Sequence, residues 1–134
     1  MSHDSACFCQ SGKNFSRCCS PFLNLDALPE TSEQLMRSRY SAFVTENEPY
    51  LLSTWHPDNR PTAVQFDPQC KWLGLKVKRC KAGQASDQIG WVEFVARFKI
   101  AGKAERIEEL SYFIKQDGKW LYACAENRVW DELA

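Results

Sequence analysis

No apolar run in this sequence of 134 residues approaches the ~20 residues that a membrane-spanning helix needs. The opening MSHDSACFC has neither a basic n-region nor an apolar h-region, so a secretory signal is not expected. An excess of either charge is also missing: Lys+Arg and Asp+Glu are 17 each. That balance provides no whole-molecule field for gripping nucleic acid or anionic lipid, which leaves only a local patch for either purpose. Phosphate loop, dinucleotide fingerprint, nucleophile elbow and HExxH motif are all absent. Disorder is disfavoured too, because hydrophobic residues make up 44% and charged residues 25%. The expectation is a soluble, cytoplasmic protein of one domain plus at most a small appendage. A chain of this length buries roughly 68% of the surface its unfolded form exposes, enough for a self-sufficient core.

Cysteine, by contrast, is abundant. There are 7, an odd number, and four fall within residues 7–19, CFCQSGKNFSRCC. Without an export signal, this points to metal binding or free thiols rather than a disulfide scaffold. The spacing is C-x-C, eight residues, then C-C. A tetrahedral zinc ion needs four donors converging at ~2.3 Å, and two close pairs joined by a reversing loop can supply them. Ser11-Gly12 is a natural reversal point. Phe15 would plug the space below, and Lys13 and Arg17 would offset the net charge of four thiolates on one divalent cation. A Cys18-Cys19 disulfide would be strained, and the C-x-x-C of redox dithiols is absent. The predicted ligands are therefore Cys7, Cys9, Cys18 and Cys19, around one structural Zn2+. His3 is a spare donor that a complete four-thiolate shell does not require.

The segment from Pro21 to Pro29 reads as a linker. Thr31 and Gln34 form a capping-box pair that opens a helix, in which Met36, Tyr40, Phe43 and Val44 recur as one apolar stripe with Arg37 and Arg39 off its centre. A short second helix is predicted from about Pro49, capped by Asn47 or Glu48 and stopped by Pro57. From Trp72 the period changes to two. Leu73, Leu75 and Val77 share a face; Val92, Phe94, Ala96 and Phe98 share another, with Trp91, Glu93, Val95 and Arg97 opposite. A long strand from about Ala104 to Lys115 leads into Asp117-Gly118, a strong two-residue hairpin turn, and the last strand is WLYACA. Helices followed by an antiparallel meander of about four strands make an α+β fold, with a curved sheet around the helices and room for a pocket at its wide end.

The cysteine string resembles the SEC-C motif, C-x-C-x-S-G-x5-C followed by C or H, familiar from the tail of the preprotein-translocase ATPase. Cys7, Cys9, Ser11, Gly12, Cys18 and Cys19 match, while Phe8 and Gln10 replace the common Pro and Gly. Downstream, LMRSRYSAFV, STWHP, WLGLKV, VEFVARF, the pattern Glu109-Ser111-Phe113, and DGKWLYA resemble the bacterial YchJ family in order. The resemblance implies a SEC-C zinc module over residues 1–22 and an NTF2-like cone over residues 30–134. The chain ends ENRVWDELA, without the second SEC-C motif found in some members.

Candidates for chemistry are few. The candidate pocket comprises Arg39, Tyr40, Trp55, His56, Arg97 and Glu109. His56, near a helix end, is either a catalytic imidazole or a side chain bonding a free carbonyl. Arg97 and Glu109 lie on neighbouring strands and could pair inside the cone or on its surface. Arg37, Arg39 and Tyr40 could hold an anion, or the arginines could be a solvated flank. Trp55, Trp72, Trp91, Trp120 and Tyr122 fill the core or wall a ligand site. Cys80 and Cys124 read as small packed hydrophobes. Three functions compete. In the first, a zinc-shaped module docks a protein partner, as the resemblance implies. In the second, an NTF2-like isomerase, hydratase or small-ligand binder uses the cone. The third, weakest, is nucleic-acid contact through Lys13, Arg17, Lys76, Lys78, Arg79 and Lys81. Homodimerisation through the outer sheet face is a further expectation from the cone.

Overall fold

A computed structural model describes residues 5–133, so the question of His3 as a donor lies outside the described residues. The chain begins with the cysteine loop and a 3-10 turn, Phe15–Arg17. It continues through α1 (Ser20–Leu23), α2 (Ser32–Val44) and α3 (Glu48–Ser53) into four strands: β1 (Cys70–Ala82), β2 (Ile89–Ile100), β3 (Lys103–Gln116) and β4 (Lys119–Ala125). The strands form one antiparallel sheet in sequence order. This is the α+β meander expected from the sequence. The stretch from Pro21 to Pro29 differs from expectation, because its first residues form α1, with Pro21 in the first turn where its missing N–H costs nothing.

Local chemistry explains the element ends. The Thr31 hydroxyl accepts from Gln34 N, and the Gln34 amide reaches back to Glu30 N, one residue earlier than a strict capping box. Asn47 caps α3 by accepting from Tyr50 N. At the β3–β4 turn both Asp117 (φ 53°) and Gly118 (φ 79°) are left-handed, the conformation of a type I′ hairpin. Ala101 and Gly102 adopt the same pair of angles at the β2–β3 turn, where alanine is less comfortable.

α2 packs against β1, β2, β4 and α3. It is buried well beyond the single stripe: Leu35, Ser38, Arg39, Ser41 and Ala42 are enclosed along with Met36 and Tyr40. Arg39 is therefore not a solvated flank. Its buried serines are satisfied; Ser38, for example, donates to Leu35 O and bonds the Tyr50 hydroxyl at 2.7 Å.

In β1 the simple alternation fails. Register shifts at Leu73 and Lys78 put Trp72, Leu75, Val77 and Cys80 opposite Phe98, Ala96, Phe94 and Val92, all on the inner face. Leu73 is thrown outward and exposed. A bulge adds one residue and so inverts the parity of everything beyond it. The free edge of β4 is covered by the segment after α3: Tyr122 N donates to Thr54 O, and His56 N donates to Tyr122 O. On the outer face the C-terminal segment returns to β1, where Lys81 Nζ donates to the carbonyls of Trp130 and Leu133 and Arg79 stacks over the Trp130 ring.

Candidate functional site

The cysteine loop closes on itself through Cys7 N to Lys13 O and Phe15 N to Ser5 O, with Ala6 and Asn14 bridged across it. Gln10 (φ 58°) and Gly12 (φ 93°) supply the left-handed angles of the reversal. The loop is seated on the main fold. Arg37 on α2 donates from Nη1 to Cys9 O at 2.8 Å and from Nε to Glu33 at 3.0 Å. Cys7, Cys9 and Cys19 are buried in one cluster with Leu35, Tyr40, Leu75, Phe113 and Trp120, and Phe15 packs beside them.

The four sulfurs lie within 4.8 Å of one another. Cys9 Sγ is 3.5 Å from Cys18 Sγ, and Cys18 Sγ is 4.0 Å from Cys19 Sγ. A tetrahedron with metal–sulfur bonds of ~2.3 Å has edges of about 3.8 Å, so the set fits a single ion. Hydrogen bonds from Cys19, followed by those from Ser11, Cys18 and Cys7, overcome burial and pull the Cys9 thiol down to about 4. Burial pushes Cys18 up to about 11. The Cys19 thiol, bonded to Cys9 and buried, is pushed up as well. A divalent ion held by this set would displace the remaining thiol protons.

A second site lies between α2, the end of α3 and the inner sheet face. It is a cavity of about 280 Å³ whose lining includes Arg39, Tyr40, Trp55, Trp72, Glu109 and Tyr122. Arg39 Cζ lies 4.9 Å from the ring centres of both Trp55 and Tyr122, which meet each other edge to face, and its Nη1 donates to Leu51 O and Thr54 Oγ1. Burial lowers its pKa to about 10, which leaves it charged at neutral pH. Glu109 Oε2 accepts from Ser111 Oγ at 2.5 Å and from Tyr122 OH at 2.9 Å. Burial pushes the Tyr40 hydroxyl up to about 12.

Two of the six candidate pocket residues are elsewhere. Glu109 stands opposite Phe94 on the inner face, whereas Arg97, three residues further along β2, points outward and is exposed opposite Arg106. Odd separation puts them on opposite faces, so they cannot pair. His56 is not part of the lining. Its Nδ1 accepts from Asp58 N at 3.1 Å, so the ring bonds its own turn rather than a carbonyl. Ser111 and Thr54, which hold Glu109 and Arg39, were not among the candidate pocket residues, although both lie in strings that carry the family resemblance, Glu109-Ser111-Phe113 and STWHP. Cys124 is exposed rather than packed, and Cys80 is half-buried with its thiol 3.6 Å from Glu33.

Residues 31–125 match the family model described as YchJ, middle NTF2-like domain. The chain belongs to the YchJ family. A UPF0225 protein of Chromobacterium violaceum is 51% identical to it over 122 residues, covering 88% of this chain and 90% of that one. A UPF0225 protein of Ralstonia nicotianae is 45% identical over 130 residues, covering 88% of each. Among solved structures, a SEC-C motif containing protein from Rhodopseudomonas palustris superposes with a TM-score of 0.80 at 31% identity, covering 92% of this YchJ-family chain and 98% of that one. No helix of the described residues is long and apolar enough to cross a membrane.

Proposed function

We propose that this YchJ-family chain is a zinc-binding recognition protein in which one Zn2+, held by Cys7, Cys9, Cys18 and Cys19, is structural. The observation carrying this reading is the convergence of four sulfurs within 4.8 Å, three of them in buried residues. Four protein thiolates fill a tetrahedral shell and leave no position for substrate, so the ion's contribution is to fold and shape. Recognition then falls to what surrounds it. A groove beside Cys18 and Cys19 is lined by Lys13, Arg17 and Arg37, with Glu33 as its acidic member. The four-thiolate centre beside them balances these charges overall, and Lys13 and Arg17, both exposed, are the groups that acidic side chains of a protein partner would meet.

The Cys9→Ser chain should hold no zinc and lose hydrogen-exchange protection over residues 7–19. Lys13→Glu with Arg17→Glu should keep zinc and protection but lose binding to the partner that the wild type captures. Unchanged protection in Cys9→Ser would overturn the structural role, and unchanged capture by the charge-reversed chain would overturn the docking role. The cavity favours a second reading, a small-ligand site inside the cone, because it combines open volume with a buried charge.

A further inference from the structure

Arg39 is the one charged residue among the buried members of the described chain, only 5% exposed. Burying a charge is costly unless it is paired, yet among the described residues no carboxylate forms an ion pair with it. Trp55 and Tyr122, which meet edge to face, wall it on adjoining sides, and its Nη1 corner is committed to Leu51 O and Thr54 Oγ1. Nε and Nη2 bond no described residue. Since no fully buried side-chain nitrogen lacks a partner, these two are open to the cavity that Arg39 lines. The Nε–Nη2 edge is the fork that takes both oxygens of a carboxylate.

We propose that the cavity binds a small apolar carboxylate, its two oxygens on the Nε–Nη2 edge of Arg39 and its body against Met36, Phe43, Trp72 and Phe94. The inference rests on the small-ligand reading above and names the ligand class. The volume of about 280 Å³ has room for a single-ring carboxylate such as benzoate. The Nη1 hydrogen bonds to Leu51 O and Thr54 Oγ1, with the two rings alongside, hold the guanidinium in place before the ligand arrives, so little ordering cost is left for binding.

Glu109 lines the same cavity and supplies a test of sign. Its Oε2 already takes hydrogen bonds from Ser111 and Tyr122, which spread its charge, but that charge still opposes an incoming anion.

The test is a titration of the full-length, zinc-loaded chain with benzoate and with its neutral isostere benzamide, read by tryptophan fluorescence. Benzoate should bind saturably and about tenfold or more tighter than benzamide. Glu109→Gln should tighten benzoate several-fold and leave benzamide unmoved. Arg39→Gln should abolish the preference for benzoate, and if that chain fails to fold, the Glu109→Gln arm still decides. Equal binding of the two probes would overturn the carboxylate proposal while sparing a small-ligand site. No saturable binding of either would overturn both.

Discussion

At the residue scale, the effect of an interaction depends on what the side chain would do without it. Glu126 accepts from Arg128 and from Trp91 Nε1, and the Arg128 contact is the larger part of what holds its carboxyl down at about 2. The stability this linkage provides is present above the ordinary glutamate pKa of about 4.3 and is lost as pH falls toward 2. Glu126→Gln should therefore unfold at a lower temperature than the wild type at pH 6, with the gap closing between about pH 4.3 and 2. Thermal melts across that range check it, and a gap that persists at pH 2 would assign the effect to packing instead. Arg39 shows the limit of residue-level reading. A charged residue beside an apolar helical stripe looks solvated in sequence, and only the arrival of Trp55 from the segment after α3 and Tyr122 from β4 encloses it.

At the element scale, what was legible was local. The Thr31–Gln34 pair, the Asn47 cap and the Asp117-Gly118 turn each act within four residues, and each places an element end where the sequence expected it. The bulges at Leu73 and Lys78 were not legible, since they are set by pairing with β2 and by what the inner face must hold. The same limit hid the mismatch of Arg97 and Glu109, whose faces follow from register. The α2–sheet junction offers a sharp test. Ser32 N donates to Gly83 O, and Gly90 sits so close that an added Cβ would lie 2.5 Å from Gly83 Cα. Gly90→Ala should destabilise the chain by about 1–3 kcal/mol, because backbone has to shift. Gly74→Ala would meet only the end of the flexible Gln10 side chain and should cost under about 1 kcal/mol. Denaturant melts of the two variants compare them, and equal losses would contradict this account of the junction.

At the scale of the whole molecule, the cysteine loop and the sheet share one core. Cys7, Cys9 and Cys19 pack in the same cluster as Phe113 and Trp120. The four ligands could be named from spacing, but not their place: sequence suggests a module attached to the cone, whereas the sulfurs lie against α2, with Cys7 Sγ 3.8 Å from Ser41 Oγ. Removing the ion should therefore be felt throughout. Chelation should lower the unfolding temperature of the entire chain by about 10 °C or more in a single transition, because zinc–thiolate binding energy is folding energy. A melt of the sheet unmoved by chelator would mean that the loop is energetically separate.

The most direct measurement is native mass spectrometry of freshly purified, reduced full-length protein, with metal analysis of the same sample. One zinc per chain, absent from Cys9→Ser, is the predicted result. A metal-free mass in the wild type, with Cys7, Cys9, Cys18 and Cys19 all open to thiol reagent, would contradict the structural zinc centre.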